Sequence, residues 1–307
     1  LENAIIEVID CKEEFVILPS EDLVNAIELS EINYMRDRMK AIQARPGNPE
    51  GIDIGEFGQT LCLYSETMPW GQFNAVKGLK GSDIGNLDDI LRFYRDRERK
   101  PQLEIVPSGV DQTLLKALTD RGFYSSAVHT SMYMDLAGER MEDKRYSAKR
   151  DKMEPDMILE STETGFESTV IISALEEDQL PLYATIHCRG TGLPDDGIPF
   201  VLANNSVLFN RPGWSFYLAS VDGHPAAVGV MYRHGDVASL TFAATLPEFR
   251  KLGLHGLLLK QRLHAAREEG CKLVVGQCAF LSQSHRNMER AEMKIGYIRS
   301  TWTERKR

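Results

Sequence analysis

The 307-residue chain lacks any pairing pattern among its cysteines. The five, Cys11, Cys62, Cys188, Cys271 and Cys278, are odd in number, scattered and free of a C-x-x-C unit. That argues against a disulfide framework or a thiolate zinc site, and for free thiols in a reducing compartment. A cytoplasmic location and no metal are therefore expected. No apolar run approaches the ~20 residues needed to cross a bilayer. The opening LENAIIEVIDCKEEF is acidic, with no basic segment ahead of an apolar block, so no secretory leader is expected. Leu1 in place of an initiator Met suggests a trimmed start. Positive charge is in deficit, 36 Lys and Arg against 45 Asp and Glu, a net charge of −9. Nucleic-acid binders normally show the opposite sign or a basic stripe. An acidic surface instead favours cationic partners such as amines. Also missing is a G-x-G-x-x-G unit after an early strand with an acid about 20 residues on, which removes a dinucleotide-binding oxidoreductase.

What is present is a long alternation of helix and strand patterns. The length suggests two domains of about 150 residues each. The first helix is expected over Glu21 to Ile42, with Ser20 as N-cap and Leu23, Ile27 and Ile32 on one face. TLCLYSE and FNAVKGL read as strands, Leu87 to Lys100 as a helix stopped by Pro101, and QLEIVPS as a strand. VDQTLLKALTDRGF is a helix and YSSAVHTSMYMDL a strand. The charged stretch AGERMEDKRYSAKRDKMEPD lacks apolar periodicity and reads as a linker. The second half reads as strand TVIISA, helix EEDQLPLYATIHCRG, then strands SFYLASV, HPAAVGVMYRHG and VASLTFAAT. Helix GLLLKQRLHAAREE, strand KLVVGQCAF, helix SQSHRNMERAEM and strand KIGYIRSTWTERK complete it. The expected division is 1–136, a linker 137–166, and 167–307.

The halves match at one offset. Leu103 of QLEIVPS lies 170 residues before Leu273 of KLVVGQC, and the helix at 87–100 falls on 257–270. At the same offset Gly122 falls on Glu292 and Phe123 on Met293. An internal duplication is expected. RKLGLHG (250–256) then overlays KGSDIGN (80–86). The later copy carries Arg250 and Lys251; the earlier one carries Lys80 and then Asp83, a carboxylate that would repel an anion. A glycine-bearing basic loop opening a helix offers free backbone N–H groups to a phosphate, with the helix dipole behind them.

The order strand, ATLPEFRKLGLHGLLL, strand, RNMERAEM and strand resembles the GNAT superfamily of acyl-CoA-dependent N-acyltransferases, with Arg250-x-x-Gly253 on its R/Q-x-x-G-x-G/A signature. The fit is imperfect: His255 takes the second small position, with Gly256 one residue later. The resemblance is clear over about residues 168–307 and extends to the first half only in element order. It implies an α/β (α+β) fold of two tandem GNAT-like domains, each a mixed central sheet flanked by helices, the first copy degenerate. It implies acetyl-CoA as cofactor, its diphosphate held by the amides of Lys251, Leu252, Gly253, Leu254, His255 and Gly256. It implies a splayed strand whose freed amides at Ala243, Ala244 and Thr245 hold the pantetheine arm, one near Ala244 or Thr245 polarising the thioester carbonyl. Ser284 and Asn287 would bond the cofactor, and Ser284 and His285 are the catalytic candidates.

A tyrosine usual on the last helix is absent in either register: Met288 or Glu292 stands there. The implied activity is acetyl transfer to a primary amine of a small molecule or peptide, by direct attack in a ternary complex. The alternative is a non-catalytic acyl-CoA-binding sensor or scaffold. A homodimer is compatible with this reading; nucleic acid and membrane are not expected as partners.

Overall fold

The computed structural model describes residues 19–68, 70–137, 159–160 and 168–305. Cys11 and most of the expected linker at 137–166 lie outside the described residues. Helix α1 (Glu21–Gln43) starts at Ser20, whose hydroxyl accepts the Leu23 N–H at 3.2 Å. This satisfies one of the orphan donors of a helix start. Its buried stripe runs Val24, Ile27, Glu28, Glu31, Ile32, Met35, Arg38, Met39 and Ile42. Three charged residues therefore occupy positions that helical spacing turns inward.

The front half continues with β1 (Asp53–Phe57), β2 (Thr60–Tyr64), β3 (Ala75–Lys77), α2 (Leu87–Arg95), β4 (Gln102–Ile105), α3 (Gln112–Asp120) and β5 (Phe123–Asp135). The short strand β6 (Leu159–Glu160) precedes the rear half. There β7 (Thr169–Ala174), α4 (Leu180–Thr191), α5 (Ile198–Phe209), β8 (Trp214–Val221), β9 (His224–His234) and β10 (Val237–Thr245) come in order. They are followed by α6 (Leu254–Glu268), β11 (Leu273–Ala279), α7 (Gln283–Arg290) and β12 (Lys294–Glu304). The duplication is visible at the helix ends: Gly122 after α3 and Glu292 after α7 both adopt left-handed φ, +86° and +66°. A glutamate tolerates there what glycine adopts freely.

The mixed α/β fold has one feature that the tandem reading lacks. The strands form a single sheet in the order β1-β2-β3-β4-β12-β5-β11-β10-β9-β8-β7-β6. The last strand of each half has crossed over: β5 pairs antiparallel with β11 of the rear half, and β12 with β4 of the front half. The two also pair with each other, from Lys294 opposite Tyr133 to Glu304 opposite Phe123. Each exchanged strand covers an edge that the other half would leave open. Packing beneath the sheet is separate for the halves. Leu87, Ile90, Leu91, Leu114 and Leu118 of α2 and α3 cover the front. Leu254, Leu258, Leu259 and Leu263 of α6 cover the rear. Helix α1 bridges both, with the Ser30 hydroxyl bonded to the Ser239 hydroxyl of β10.

Candidate active site

Strands β10 and β11 are parallel and stay paired from Val237–Leu273 to Leu240–Gly276; there the ladder stops. β10 continues along β9 as far as Thr245, with a register shift between Leu240 and Phe242. From Thr241 onward one edge of β10 is therefore unpaired with β11. The gap opens into a cavity of about 640 Å³ lined from both halves of the chain. Front-half residues Arg38, Glu50 and Phe73 face rear-half residues His187, Asn205, Phe242, His255 and Ser284 across it.

Arg262 of α6 sits beneath the bulge, fully buried. Its guanidinium donates to Leu258 O at 3.0 Å, Val230 O at 3.1 Å and Phe242 O at 3.2 Å. Gly229 makes room, since a Cβ there would lie 3.2 Å from Arg262 Nε. Burial lowers the guanidinium pKa to about 10, so it remains a cation at neutral pH. It thus clamps two adjacent strands where a regular ladder is broken.

The alternation of the antiparallel ladder selects which amides face the gap. Leu246 N–H donates to Ala226 O at 2.9 Å. Counting back in steps of two, Ala244 and Phe242 also face β9, which turns the N–H groups of Ala243 and Thr245 to the open edge. Ala243 lines the cavity. Thr245 N lies against Gly190, where a Cβ would approach it to 3.0 Å. Ala244, expected among the freed amides, is buried in the core under α4 with Leu180, Tyr183 and Ile186. The ladder spends its N–H on β9, and this corrects the expectation for that residue.

The loop 250–256 has the geometry of an anion cradle. Lys251 and Gly253 have φ of +67° and +77°, and α6 follows directly. Among the described residues the amides from Lys251 to Gly256 donate no hydrogen bond. Nothing stands within 4 Å of where a Cβ of Gly253 or Gly256 would be, so the approach is open. Lys251 is exposed, whereas Arg250 is tied to α4, its Nη2 donating to Gly190 O at 3.0 Å. Leu252 and Leu254 turn their side chains into the core beneath α6, leaving the backbone outward.

His255 is more than a source of an amide. Its Nε2 lies 3.3 Å from Ser284 Oγ and its Nδ1 lies 3.1 Å from Asn287 Nδ2. Asn287 Oδ1 already accepts from Gln283 at 2.9 Å and Arg290 at 3.2 Å, so its amide nitrogen donates to His255 Nδ1. The ring proton then sits on Nε2 and points at Ser284, whose own hydroxyl hydrogen is left to give. Burial, with the Arg262 charge adding, lowers the His255 pKa to about 4, so the ring is neutral.

His285 is not brought to the cavity. It is 1% exposed, its Nδ1 accepts the Leu281 N–H at 2.9 Å, and its ring packs on Phe280. Its expected catalytic role is corrected on that ground. His187 of α4 stands in the cavity wall instead. Its Nδ1 is 3.3 Å from Tyr183 Oη, and Tyr183 Oη lies 3.4 Å from Asn205 Oδ1. Asn205 Nδ2 is held by Val201 O at 2.7 Å, which orients the chain His187 to Tyr183 to Asn205. That leaves His187 Nε2 as the free lone pair, and burial lowers the ring pKa to about 4. Cys278 is buried and its thiol is pushed up to about 11, so it is no nucleophile at neutral pH.

The front copy differs at each point. Its loop is a 3-10 turn (Gly81–Asn86) in which the Asp83 carboxylate accepts from Lys80 N at 3.1 Å and Thr60 Oγ1 at 3.2 Å. An internal carboxylate holds the place an external anion would need.

The geometry agrees with what is similar to this chain. A family model described as an acetyltransferase (GNAT) domain matches residues 204–275. No curated protein matches in sequence. Among solved structures, a GCN5-related N-acetyltransferase from Kribbella flavida is similar with TM-score 0.62 at 13% identity, over 93% of this chain and 96% of that one. A tandem GNAT protein from the clavulanic acid biosynthesis pathway gives TM-score 0.54 at 13% identity, over 93% and 96%. A GCN5-related N-acetyltransferase from Sphaerobacter thermophilus gives 0.51 at 13%, over 75% and 71%. A GNAT family model thus matches part of the rear half, and over nearly its whole length the chain is similar in fold to a tandem GNAT protein.

Proposed function

We propose that the protein is an acetyl-CoA-dependent N-acetyltransferase that acetylates a primary amine by direct attack in a ternary complex. The observation that carries this reading is the parting of β10 and β11 over a cavity of about 640 Å³, next to six amides without partners. These features fit coenzyme A: a diphosphate needs the amides of 251–256 and an open approach at Gly253, and the pantetheine arm needs a strand edge. Bound there, the thioester supplies an activated acetyl carbonyl and a thiolate leaving group.

The chain's own residues supply the rest. The N–H of Ala243 donates to the carbonyl oxygen, an interaction that strengthens as charge develops and is worth about 10²–10³ in rate where such donors have been removed. His187 Nε2 takes the proton of the attacking amine. Ser284, its hydroxyl oriented by His255 Nε2–H, would donate a hydrogen bond to the departing thiolate, and the proton taken by His187 would pass to solvent or to the thiolate. Positioned acid or base groups contribute about 10²–10⁴ each. In this reading residues 167–307 bind the cofactor, residues 1–136 are a degenerate copy that walls the acceptor pocket, and 137–166 link them.

Thiol release from acetyl-CoA across a panel of primary amines tests the reading. Ser284→Ala should lower kcat by about 100-fold with little change in acetyl-CoA affinity. Tight acetyl-CoA binding with no turnover on any amine would favour a sensor instead, a reading that Met288 supports by filling the cavity wall where the family usually has tyrosine.

A further inference from the structure

The cavity holds a cation that the transfer chemistry does not use. Arg38 comes from α1 in the front half and is 4% exposed. Its guanidinium carbon lies 4.8 Å from the centre of the Phe73 ring and 4.4 Å from that of Phe242. The two rings fix its plane by cation–π contact. Neither Nε nor Nη1 has a hydrogen-bond partner, although both are buried. Of the carboxylates in the cavity wall and on its own helix, Glu50, Asp37 and Glu31 are engaged elsewhere, and Asp196 in the wall is exposed. Glu50 is bonded to Thr67 and paired with Arg45 at 3.2 Å, Asp37 is paired with Arg211 at 2.7 Å, and Glu31 accepts from Ser131 at 2.5 Å. Burial lowers the Arg38 pKa only to about 10, so the group is charged at neutral pH.

We infer that Arg38 binds the carboxylate of the acceptor, so that the substrate is an amine that also carries a carboxylate, of the amino-acid class. The inference rests on the acetyltransferase reading for the amine and on geometry alone for the anion. A guanidinium packed between two rings offers paired N–H donors along its Nε–Nη2 and Nη1–Nη2 edges, each carrying one of the unpartnered nitrogens, and either edge matches the two oxygens of a carboxylate. Uncompensated charge in a cavity wall is costly, and an anionic ligand removes the cost. Phe242, one of the clamping rings, adjoins Ala243, whose N–H is turned to the open edge of β10. Arg38 and Ala243 thus line one and the same cavity, as an acceptor bearing both groups requires. A polyamine or aminoglycoside, by contrast, would meet the cation with like charge.

The test uses the whole chain with acetyl-CoA and each of the twenty protein amino acids, their methyl esters, and putrescine and tyramine as amines without a carboxylate. Thiol release with at least one free amino acid is expected, with kcat/KM lower by about 100-fold for its ester. Arg38→Gln should abolish that preference by raising KM, and Arg38→Lys should restore it in part. Equal rates on acid and ester, preference for putrescine or tyramine, or an unchanged preference in Arg38→Gln overturns the inference. So does a carboxylate requirement that moves to the acyl donor, seen as succinyl-CoA used in place of acetyl-CoA with neutral amines. Calorimetry with the twenty N-acetyl amino acids and their methyl esters separates this outcome from failure of the acetyltransferase reading. Carboxylate-dependent binding lost in Arg38→Gln supports the anion site even without turnover, and its absence from the wild type overturns it.

Discussion

The molecule parts two parallel strands twice, and the two gaps have opposite contents. In the front half β3 and β4 pair at Ala75–Gln102 and Val76–Leu103 and go no further. Lys77 and Glu104, just past the last pair, bond each other, and Arg299 of the exchanged β12 forms an ion pair with Glu104. Glu31 of α1 adds a contact to Arg299 at 3.9 Å. A void of only about 10 Å³ is left. In the rear half the same parting leaves about 640 Å³. The backbone division is thus common to both copies, and side chains decide whether it is filled or left open. Helix α1 serves both: Glu28 and Glu31 face the filled gap, and Arg38, about two turns on, faces the open one.

Four experiments would break or sharpen that contrast. The largest effect is expected from Glu104→Leu, which strands Lys77 and Arg299 as buried cations. A loss of about 3–5 kcal/mol in urea denaturation is expected, with CoA affinity unchanged. A collapse of CoA binding in a folded variant would show that the filled gap takes part in the site. Next, Gly253→Trp should weaken acetyl-CoA by about 100-fold in calorimetry, through blocked approach and a strained φ, whereas Gly85→Trp should leave it unaltered. Equal effects at the two glycines would erase the distinction between the loops.

Acid should withdraw the contributions of the two gaps in sequence. His187 and His255 have pKa values lowered by burial from an ordinary 6.5 to about 4. Their contribution is full above about pH 6.5 and is lost as pH falls toward about 4. Glu104 has its pKa lowered to about 2 because the attraction of Lys77 and Arg299 outweighs its burial. Its contribution is full above about pH 4.5 and is lost only toward about 2. The melting temperature of the whole chain should therefore fall in two steps as pH is lowered, the first from the rear-gap histidines, and His187→Phe should flatten that earlier step. Smallest of all, Asp83→Ala should cost about 1 kcal/mol as a lost cap, without creating CoA affinity in the front loop, because the strand gap beside it is still filled.

Much of this contrast was legible before any coordinates. The 170-residue offset aligned loop with loop and helix with helix, and Asp83 against Arg250 and Lys251 separated the copies by charge. Helix α1 and its Ser20 cap followed from local pattern. Helix α5 did not, since its run Ile198–Phe209 is apolar on nearly every face and shows no helical stripe; Pro199 in its first turn was the available signal. The strand exchange was hidden because periodicity tells which face a strand buries and not which neighbour it pairs with. Arg38 and Arg262 are hard to read from sequence for a related reason. Each interrupts an apolar stripe at an inward position, and a charge there is the mark of a buried group with work beyond packing.

The interlaced strands β5 and β12 have a consequence for how such a chain can be taken apart. Excising either half pulls a strand out of the other, exposing raw β-edges in the middle of what had been a continuous sheet. Neither copy can be shed, transplanted or expressed alone as a sound module, so the half with the filled gap is a structural partner to the half with the open one.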